Sequence, residues 1–476
     1  MIVRWRTLRV AVFALAVAPA CRTVGPDYQR PVVKLPDAIG GAATAGTATS
    51  IGDTAWTEVF LDEQLRTLIR TALAQNDDVK IAAARVLQAE AVLGITRADG
   101  LPTIDGQFQG GGGRTSATAT NPARTAGAIR AGVGAAWEID FWGKYRRATE
   151  GARAELLAAS WGRRAVATAL VGDVADGYYN LRSLDLQLEI ARRTLTSRQE
   201  SLELTRIRER GGATSLVDVR EAEQLVFGAG AAIADLERRI AQQEHALSFL
   251  LGDLPGAIPR GLDLVAQPRP TDVPAGLPSA LLARRPDVQA AEQAIVAANA
   301  QIGVARAAYF PTISLTGTGG VQSTALRALF TAGAGYWSLV AGAVQPIVTA
   351  GRTRSQVALA KARTDEATAA YARTVKGAFR DVSDALVGLT GARALREQQE
   401  QLATAAQDAR RLADIRYRGG AASYLEVLDA DTRLFSAEIQ LAQARQGELA
   451  SVVELYRSLG GGWQPDAAGP QATSTP

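Results

Sequence analysis

Fourteen residues of this chain are written twice. RGGATSLVDVREAE, from Arg210 to Glu223, returns 208 positions later as RGGAASYLEVLDAD, from Arg418 to Asp431, with an acid at the ninth and twelfth places of both. The register holds elsewhere. Leu251-Gly252 falls on Leu459-Gly460, DVKIAAARVLQAEA (Asp78 to Ala91) on DVQAAEQAIVAANA (Asp287 to Ala300), and LPTI (Leu101 to Ile104) on FPTI (Phe310 to Ile313), the last two pairs at an offset of 209. Self-similarity at a fixed offset marks a duplicated structural unit, so any fold proposed for one half must serve the other. The copies are placed at 64–255 and 279–463, joined by a Pro-rich linker at 256–278 and followed by a flexible tail at 464–476.

Proline sets the coarse architecture of each copy. None occurs between Pro122 and Pro255, or between Pro346 and Pro465. Such runs, rich in Ala, Leu, Gln, Glu and Arg, suit long helices, in which an interior proline costs about 3 kcal/mol. Helices are expected at roughly 64–98, 144–209, 214–251, 279–308, 352–417 and 423–458. Leu188, Leu195 and Leu202 recur every seven residues, with Leu184 and Ala191 at the alternate positions, as in a coiled-coil seam. A helix of about 65 residues extends about 100 Å, more than a globular domain needs.

The segments between helices argue against a purely fibrous coiled coil. In IRAGVGAAWEIDF, Ile129, Ala131, Val133, Ala135, Trp137, Ile139 and Phe141 alternate with Arg130, Gly132, Gly134, Ala136, Glu138 and Asp140. Period-two alternation with aromatics gathered at one end is the pattern of a membrane β-strand. TIDGQFQGG, with Ile104 and Phe108 on one face, is its partner across the polar loop RTSATATNPARTAG, a hairpin over about 102–141. The second copy repeats the layout over about 311–348, with TISLTGTGGVQ and the less regular GYWSLVAGAVQPIV. Four strands cannot close a barrel, and an open edge cannot face lipid, so a membrane-spanning chain of this kind must oligomerise.

Charge and chemistry exclude other classes. The 52 basic residues exceed the 48 acidic ones by four, and three of the 52 (Arg4, Arg6, Arg9) lie in an N-terminal leader, so the remainder offers no basic patch for nucleic acid. That leader, at 1–20, has a basic start, about a dozen apolar residues and small residues before Cys21, which is a secretory signal. Cys21 is the only cysteine, so no internal disulfide exists, and its place directly after the leader makes it a lipid-attachment residue. Residues 21–63 then form a lipid-anchored, extended segment, although Ala18 stands where lipoprotein signals usually have Leu. The single histidine, His245, has no second His or Cys to complete a metal site. GGGG at Gly110 to Gly113 lacks the strand-to-helix setting of a phosphate loop and reads as the end of a membrane strand. No catalytic constellation, metal site or cofactor site is found.

Two tandem copies of helix, strand hairpin, long helix and turn-linked helix resemble the outer-membrane efflux protein family, the TolC-like exit ducts of Gram-negative bacteria. CRTVGPDYQRP, from Cys21 to Pro31, resembles the lipoprotein start of the NodT or OprM-like branch that serves resistance-nodulation-division pumps. The resemblance implies a fold of mixed α and membrane β, a long α-helical barrel continuous with a transmembrane β-barrel of four strands per chain and twelve in a homotrimer. It implies a channel rather than an enzyme, in the cell outer membrane and extending into the periplasm. Its partners would be a periplasmic adaptor and an inner-membrane pump, with drugs or other small molecules as cargo. The competing reading is a lipid-anchored periplasmic coiled-coil scaffold, against which the alternating strands argue.

The opening repeat then has a role. Gly211, Gly212, Gly419 and Gly420 make tight helix-to-helix turns that an adaptor would contact, with Thr214, Ser215 or Ser423 capping the next helix. Acids follow one turn later at spacing i and i+3, Asp218 with Glu221 and Glu426 with Asp429, each pair on one helix face. Acids there also favour the positive end of the helix dipole without further function. The match to the family's tip motif implies that Glu426, Asp429 and the gate-linking Tyr417 form the periplasmic gate, with Asp218 and Glu221 a second acidic pair. Arg418 is a neighbouring cation for the acids, and Ala422 stands where some members have an Arg.

Overall fold

The computed structural model describes residues 23–33, 50–118, 120–269 and 282–461. The leader, Cys21, part of the linker and the tail lie outside the described residues. Seven helices and four strands carry the argument: α1 (Glu63–Gln75), α2 (Asp77–Ala98), β1 (Thr103–Thr115), β2 (Arg124–Ile139), α3 (Lys144–Arg210), α4 (Leu216–Leu251), α5 (Pro286–Ala307), β3 (Thr312–Ser323), β4 (Gly335–Val344), α6 (Arg352–Arg418) and α7 (Tyr424–Ser458). The order α2-β1-β2-α3-α4 returns as α5-β3-β4-α6-α7, and α3 and α6 are 67 residues each.

Local chemistry moves three of the expected boundaries. The helix expected at 64–98 is two helices, because Asn76 is extended (φ −62°, ψ 134°). Its side-chain oxygen accepts the amides of Asp78 and Val79 at 2.8 and 3.2 Å, restarting the helix as an N-cap would. The helix expected from 214 starts at Leu216, since Ser215 is its cap. The one expected from 279 is interrupted at Arg285: residues 282–284 are helical, 279–281 lie outside the described residues, and α5 restarts at Pro286, where the missing amide of a proline at the first helical position removes no bond.

The chain forms two compact units, one of residues up to 32, 85–160 and 290–372, the other of 33–84, 161–289 and 373 onward. The first holds the sheet, in the order β1-β2-β3-β4 with every neighbour antiparallel. Directly opposed residues share a face, and the register gives the sheet two unlike faces. Ile104 opposes Ala135, Phe108 opposes Ala131, Trp137 opposes Leu315, Ala131 opposes Val321, Gly319 opposes Trp337 and Gly317 opposes Leu339, so one face is apolar from edge to edge. The other carries Thr103, Asp105, Gln107, Gln109, Arg130, Thr316, Thr318, Gln322 and Ser338. Much of the apolar face is exposed in the single chain, Ile104 at 78% and Trp337 at 82%. Among the described residues, β1 and β4 each have one unpaired edge.

An extended segment after Cys21 is fixed to the base of this sheet. The Val24 amide donates to Trp142 O at 3.0 Å, Asn299 Nδ2 to Pro26 O at 2.9 Å and Arg147 to Asp27 at 2.6 Å. Tyr28 and Arg30 both donate to Glu292, at 3.1 and 2.6 Å. Gly25 (φ +119°) lies so close to Gly303 that an added Cβ would stand 2.6 Å from the Gly303 Cα, so both must be glycine.

The second unit is helical. Tyr178, Leu181, Leu65, Ile69, Leu247, Leu251, Val453 and Tyr456 form its largest core. The seam foreseen along α3 is partly buried: Leu184, Ala191 and Leu202 are nearly inaccessible, with Leu236 of α4 against the first two, whereas Leu188 and Leu195 are half-buried. No described helix is long and apolar enough to cross a membrane.

Candidate functional site

The repeated turns lie in the helical unit, between α3 and α4 and between α6 and α7. Both end their first helix in the same way. The Gly212 amide donates to Glu209 O and the Ala213 amide to Arg208 O, at 2.9 and 2.8 Å; Gly420 donates to Tyr417 O and Ala421 to Arg416 O, at 3.1 and 2.9 Å. This is the double closure of a Schellman cap. It needs a left-handed residue at one place only, and only Gly212 (φ +72°) and Gly420 (φ +74°) have positive φ. Gly211 and Gly419, expected to share that role, do not; they continue the helical hydrogen bonding to Ile207 O and Ile415 O.

The two turns differ in how the next helix starts. In the first, the Ser215 hydroxyl accepts the Asp218 amide while the Asp218 carboxylate accepts the Ser215 amide at 2.9 Å, a capping box. Thr214 also donates to that carboxylate. This hydroxyl bond is the main influence lowering the Asp218 pKa, with the Ser215 bonds adding to it and slight desolvation opposing. Asp218 is thus committed to its own helix, and Glu221 is half-buried on α4. In the second turn, Ser423 occupies the cap position but its side chain caps nothing. Glu426 reaches instead across the turn to Arg416 at 3.4 Å, and Asp429 pairs with Arg433 at 3.0 Å. Both acids remain about half exposed, 49% and 57%. Arg418, expected beside them, pairs with Asp414 at 2.8 Å, one helical turn back on α6.

Behind the second turn lies an aromatic and ionic node. Tyr417 is 7% exposed, its ring 5.5 Å from that of Tyr424, with the Arg208 guanidinium 4.4 Å above it. Leu202, Val219, Ala222 and Val427 complete the cluster. The Tyr417 hydroxyl is buried and has no hydrogen-bond partner among the described residues. Deeper still, the Asp431 carboxylate accepts Arg198 Nε of α3 at 2.8 Å and Arg410 Nε of α6 at 3.2 Å, and Arg198 donates to Leu225 O of α4 at 3.0 Å. One buried carboxylate ties α7 to two other helices, and through Arg198 to a third.

Sequence reasoning missed Arg198 and Asp431, whose individual positions carry only weak signals. Asp431 is the last residue of the quoted repeat. Arg198 falls seven residues after Ala191, on the buried seam where the heptad calls for an apolar side chain. A polar residue at such a position fixes register at a cost in stability.

His245 is exposed on α4. Among the described residues no three His, Cys, Asp or Glu side chains gather where a metal could bind. Together these observations give a two-faced antiparallel sheet with open edges and long helices in tandem copies. The chain belongs to the outer membrane efflux protein family, whose model matches residues 68–253 and 277–461, one match to each copy. It is 37% identical over 466 residues to the solvent efflux pump outer membrane protein SrpC of Pseudomonas putida, covering 95% of this chain and 97% of that one. It is 33% identical over 455 residues to the cation efflux system protein CusC of Escherichia coli O6:H1, covering 95% and 98%. A crystal structure of CusC superposes with a TM-score of 0.84 at 32% identity, covering 93% of this chain and all of that one. The chain is an outer-membrane efflux channel component of the TolC-like fold.

Proposed function

We propose that three copies of this chain close into one passive duct, through which an inner-membrane pump and a periplasmic adaptor expel small molecules across the outer membrane. The observation that carries this reading is the sheet. Its apolar face suits lipid, yet the unpaired edges of β1 and β4 would leave backbone groups unsatisfied there. Four up-and-down strands let β4 of one copy pair antiparallel with β1 of the next. Two copies would give eight strands, whose interior side chains alone fill, whereas three give twelve and leave a passage. The polar second face, Asp105, Gln107, Arg130, Thr316 and Thr318, would then line the lumen.

Within that duct the two tandem repeats, 64–255 and 279–463, supply alternate helix pairs. The rings of Glu426 and Asp429 form the periplasmic constriction, with the buried Tyr417 as the linking residue packed behind them. Asp218 and Glu221 are subsidiary, since Asp218 is held as a cap. The adaptor engages the Gly211-Gly212 and Gly419-Gly420 turns. The leader is removed and Cys21 carries lipid, as in the NodT or OprM-like branch; the fixed course of Thr23 to Arg30 along the sheet base supports an anchor there. Cargo is set by the pump rather than by the duct.

The test is an outer-membrane fraction analysed on SDS gels with and without heating. A heat-sensitive band at three times the chain mass, together with restored export in a strain lacking its own exit duct, is the expected result. A monomer in both lanes would sink the reading.

A further inference from the structure

Trp137 and Ile139 lie on the apolar face of β2, and Phe141 follows in the same alternation just past its end. There they line a cleft of about 750 Å³ together with Leu101 and Tyr145. The Trp137 indole donates to Gly100 O at 3.0 Å, which holds the ring across the junction of α2 and β1 and makes it a wall of the cleft. Because Trp137 is two positions on from Ala135 and four from Val133, the cleft opens on the face that meets lipid, at the membrane boundary. Apolar and aromatic walls there suit the upper part of an acyl chain.

The rim is cationic. Arg97 at the end of α2 and Arg153 on α3 line the cleft, are exposed, and have no partner among the described residues. The other charges in the lining are already committed: Arg146 and Asp140 pair with each other at 3.3 Å, and Glu150 accepts Arg147 at 2.8 Å. Two uncommitted guanidiniums therefore face a half-apolar cleft, with no uncommitted carboxylate beside them. Guanidinium forks match phosphate oxygens bidentately, and basic recesses next to apolar membrane surface are the sequence-readable form of lipid headgroup sites.

We propose that this cleft binds an anionic phospholipid of the periplasmic leaflet. Its phosphate lies between Arg97 and Arg153, and its acyl chain follows Trp137 and Ile139 onto the apolar face of the sheet. The occupant is a membrane lipid rather than free phosphate because the cleft is continuous with the lipid-facing band and half of its named walls are apolar or aromatic. It assigns to Arg97 and Arg153 a function separate from the duct and its gate.

Full-length protein reconstituted in nanodiscs of phosphatidylcholine and phosphatidylglycerol, then released into detergent for native mass spectrometry, reads the bound lipid directly. Incorporation into the discs reports membrane placement independently of headgroup preference. Wild type is expected to retain phosphatidylglycerol over phosphatidylcholine. The double variant Arg97→Gln, Arg153→Gln should lose about thirtyfold in that preference, since each basic group near an anionic surface contributes roughly fivefold. Arg354→Gln, an exposed arginine on α6 outside the cleft, should keep it. Equal preference in wild type and the double variant overturns the proposal. So does displacement of the retained lipid by millimolar inorganic phosphate, which would make the rim a free-anion site.

Discussion

Replacing Asp431 with Ala asks how much the second turn depends on the charge buried behind it. Arg198 has a side chain 6% exposed and lies 2.8 Å from the Asp431 carboxylate, so the charge centres are about 4 Å apart and attract by roughly 4 kcal/mol at an effective dielectric near 20. Among the described residues, removing the acid leaves Arg198 with only the Leu225 carbonyl and the Phe435 ring, 5.2 Å away. Arg410 is less affected, because Asp414 stands 3.7 Å off and its side chain is 17% exposed. Stranding one buried charge typically costs 3–5 kcal/mol, whereas replacing both partners by apolar side chains is close to neutral. Asp431→Ala should therefore cost about 3–5 kcal/mol per chain, and Arg198→Met with Asp431→Leu should recover most of it. Guanidinium unfolding of the detergent-solubilised oligomer, followed by far-UV circular dichroism, ranks the variants by midpoint. A single variant within about 0.5 kcal/mol of wild type, or a double variant no better than the single, would refute the argument that Arg198 is what the carboxylate neutralises.

Arg at Val133, if near the bilayer midplane, should cost about 2–4 kcal/mol per chain, measured as loss of heat-sensitive oligomer. Arg at Gly134, where an added Cβ would approach only the ends of Asp105 and Gln107 at 3.1 and 3.2 Å, should be milder, and equal damage at both would remove the face assignment. Asp176 of α3 has one buried carboxylate oxygen without a partner. Burial above all raises its pKa from 3.8 to about 7, with Arg457 opposing and Glu454 and Asp173 assisting. The folded state thus holds this proton more tightly than the unfolded state, so stability falls as pH rises from about 4 to about 7 and then levels. Asp176→Asn should be near neutral at pH 4 and stabilising by roughly 2–4 kcal/mol above pH 7, and a pH-independent difference in denaturation midpoints would disprove it. Glu426→Ala with Asp429→Ala should weaken cation selectivity and magnesium block in planar bilayers; unchanged selectivity would leave the acids as solvated helix starts. Cys21→Ser should abolish labelling by radioactive palmitate while retaining partial export, and equal labelling of both forms counts against lipidation.

The parts of the fold that follow from short-range rules were legible. Prolines bound the long helices because no helix interior tolerates them, and strict alternation in β2 placed its faces because the strand period is two. Sequence reasoning erred where a side chain competes with the backbone. Asn76 caps a new helix inside a run that reads as one, and Ser215 delays α4 by two residues. Asp431 and Arg198 were hidden for a different reason. Their pairing joins residues 233 positions apart, and neither is informative until the other is known to be near. Arg418 was misassigned because proximity in sequence suggested Glu426, whereas helix geometry turns it back toward Asp414, four residues earlier.

The duplicated turns show how one pattern yields two behaviours. Both copies keep the Schellman closure, since that depends on backbone alone and on one left-handed glycine. They part at the third residue of the following helix. Asp218 is short enough for its carboxylate to fold back on the Ser215 amide, and Thr214 adds a hydroxyl to hold it. Glu426 carries one more methylene, and Ala422 replaces Thr214 in the repeat register, so the equivalent hydroxyl is missing. Its carboxylate extends toward Arg416 and stays in water. Of the acids that share this pattern, Asp218 is therefore committed to local capping in the first copy, whereas Glu426 and Asp429 are both displayed in the second. In an assembly where the copies alternate, that asymmetry would leave every second turn to present the displayed Glu426 and Asp429 pair, which is the physical reason to place the constriction on α7 rather than on α4.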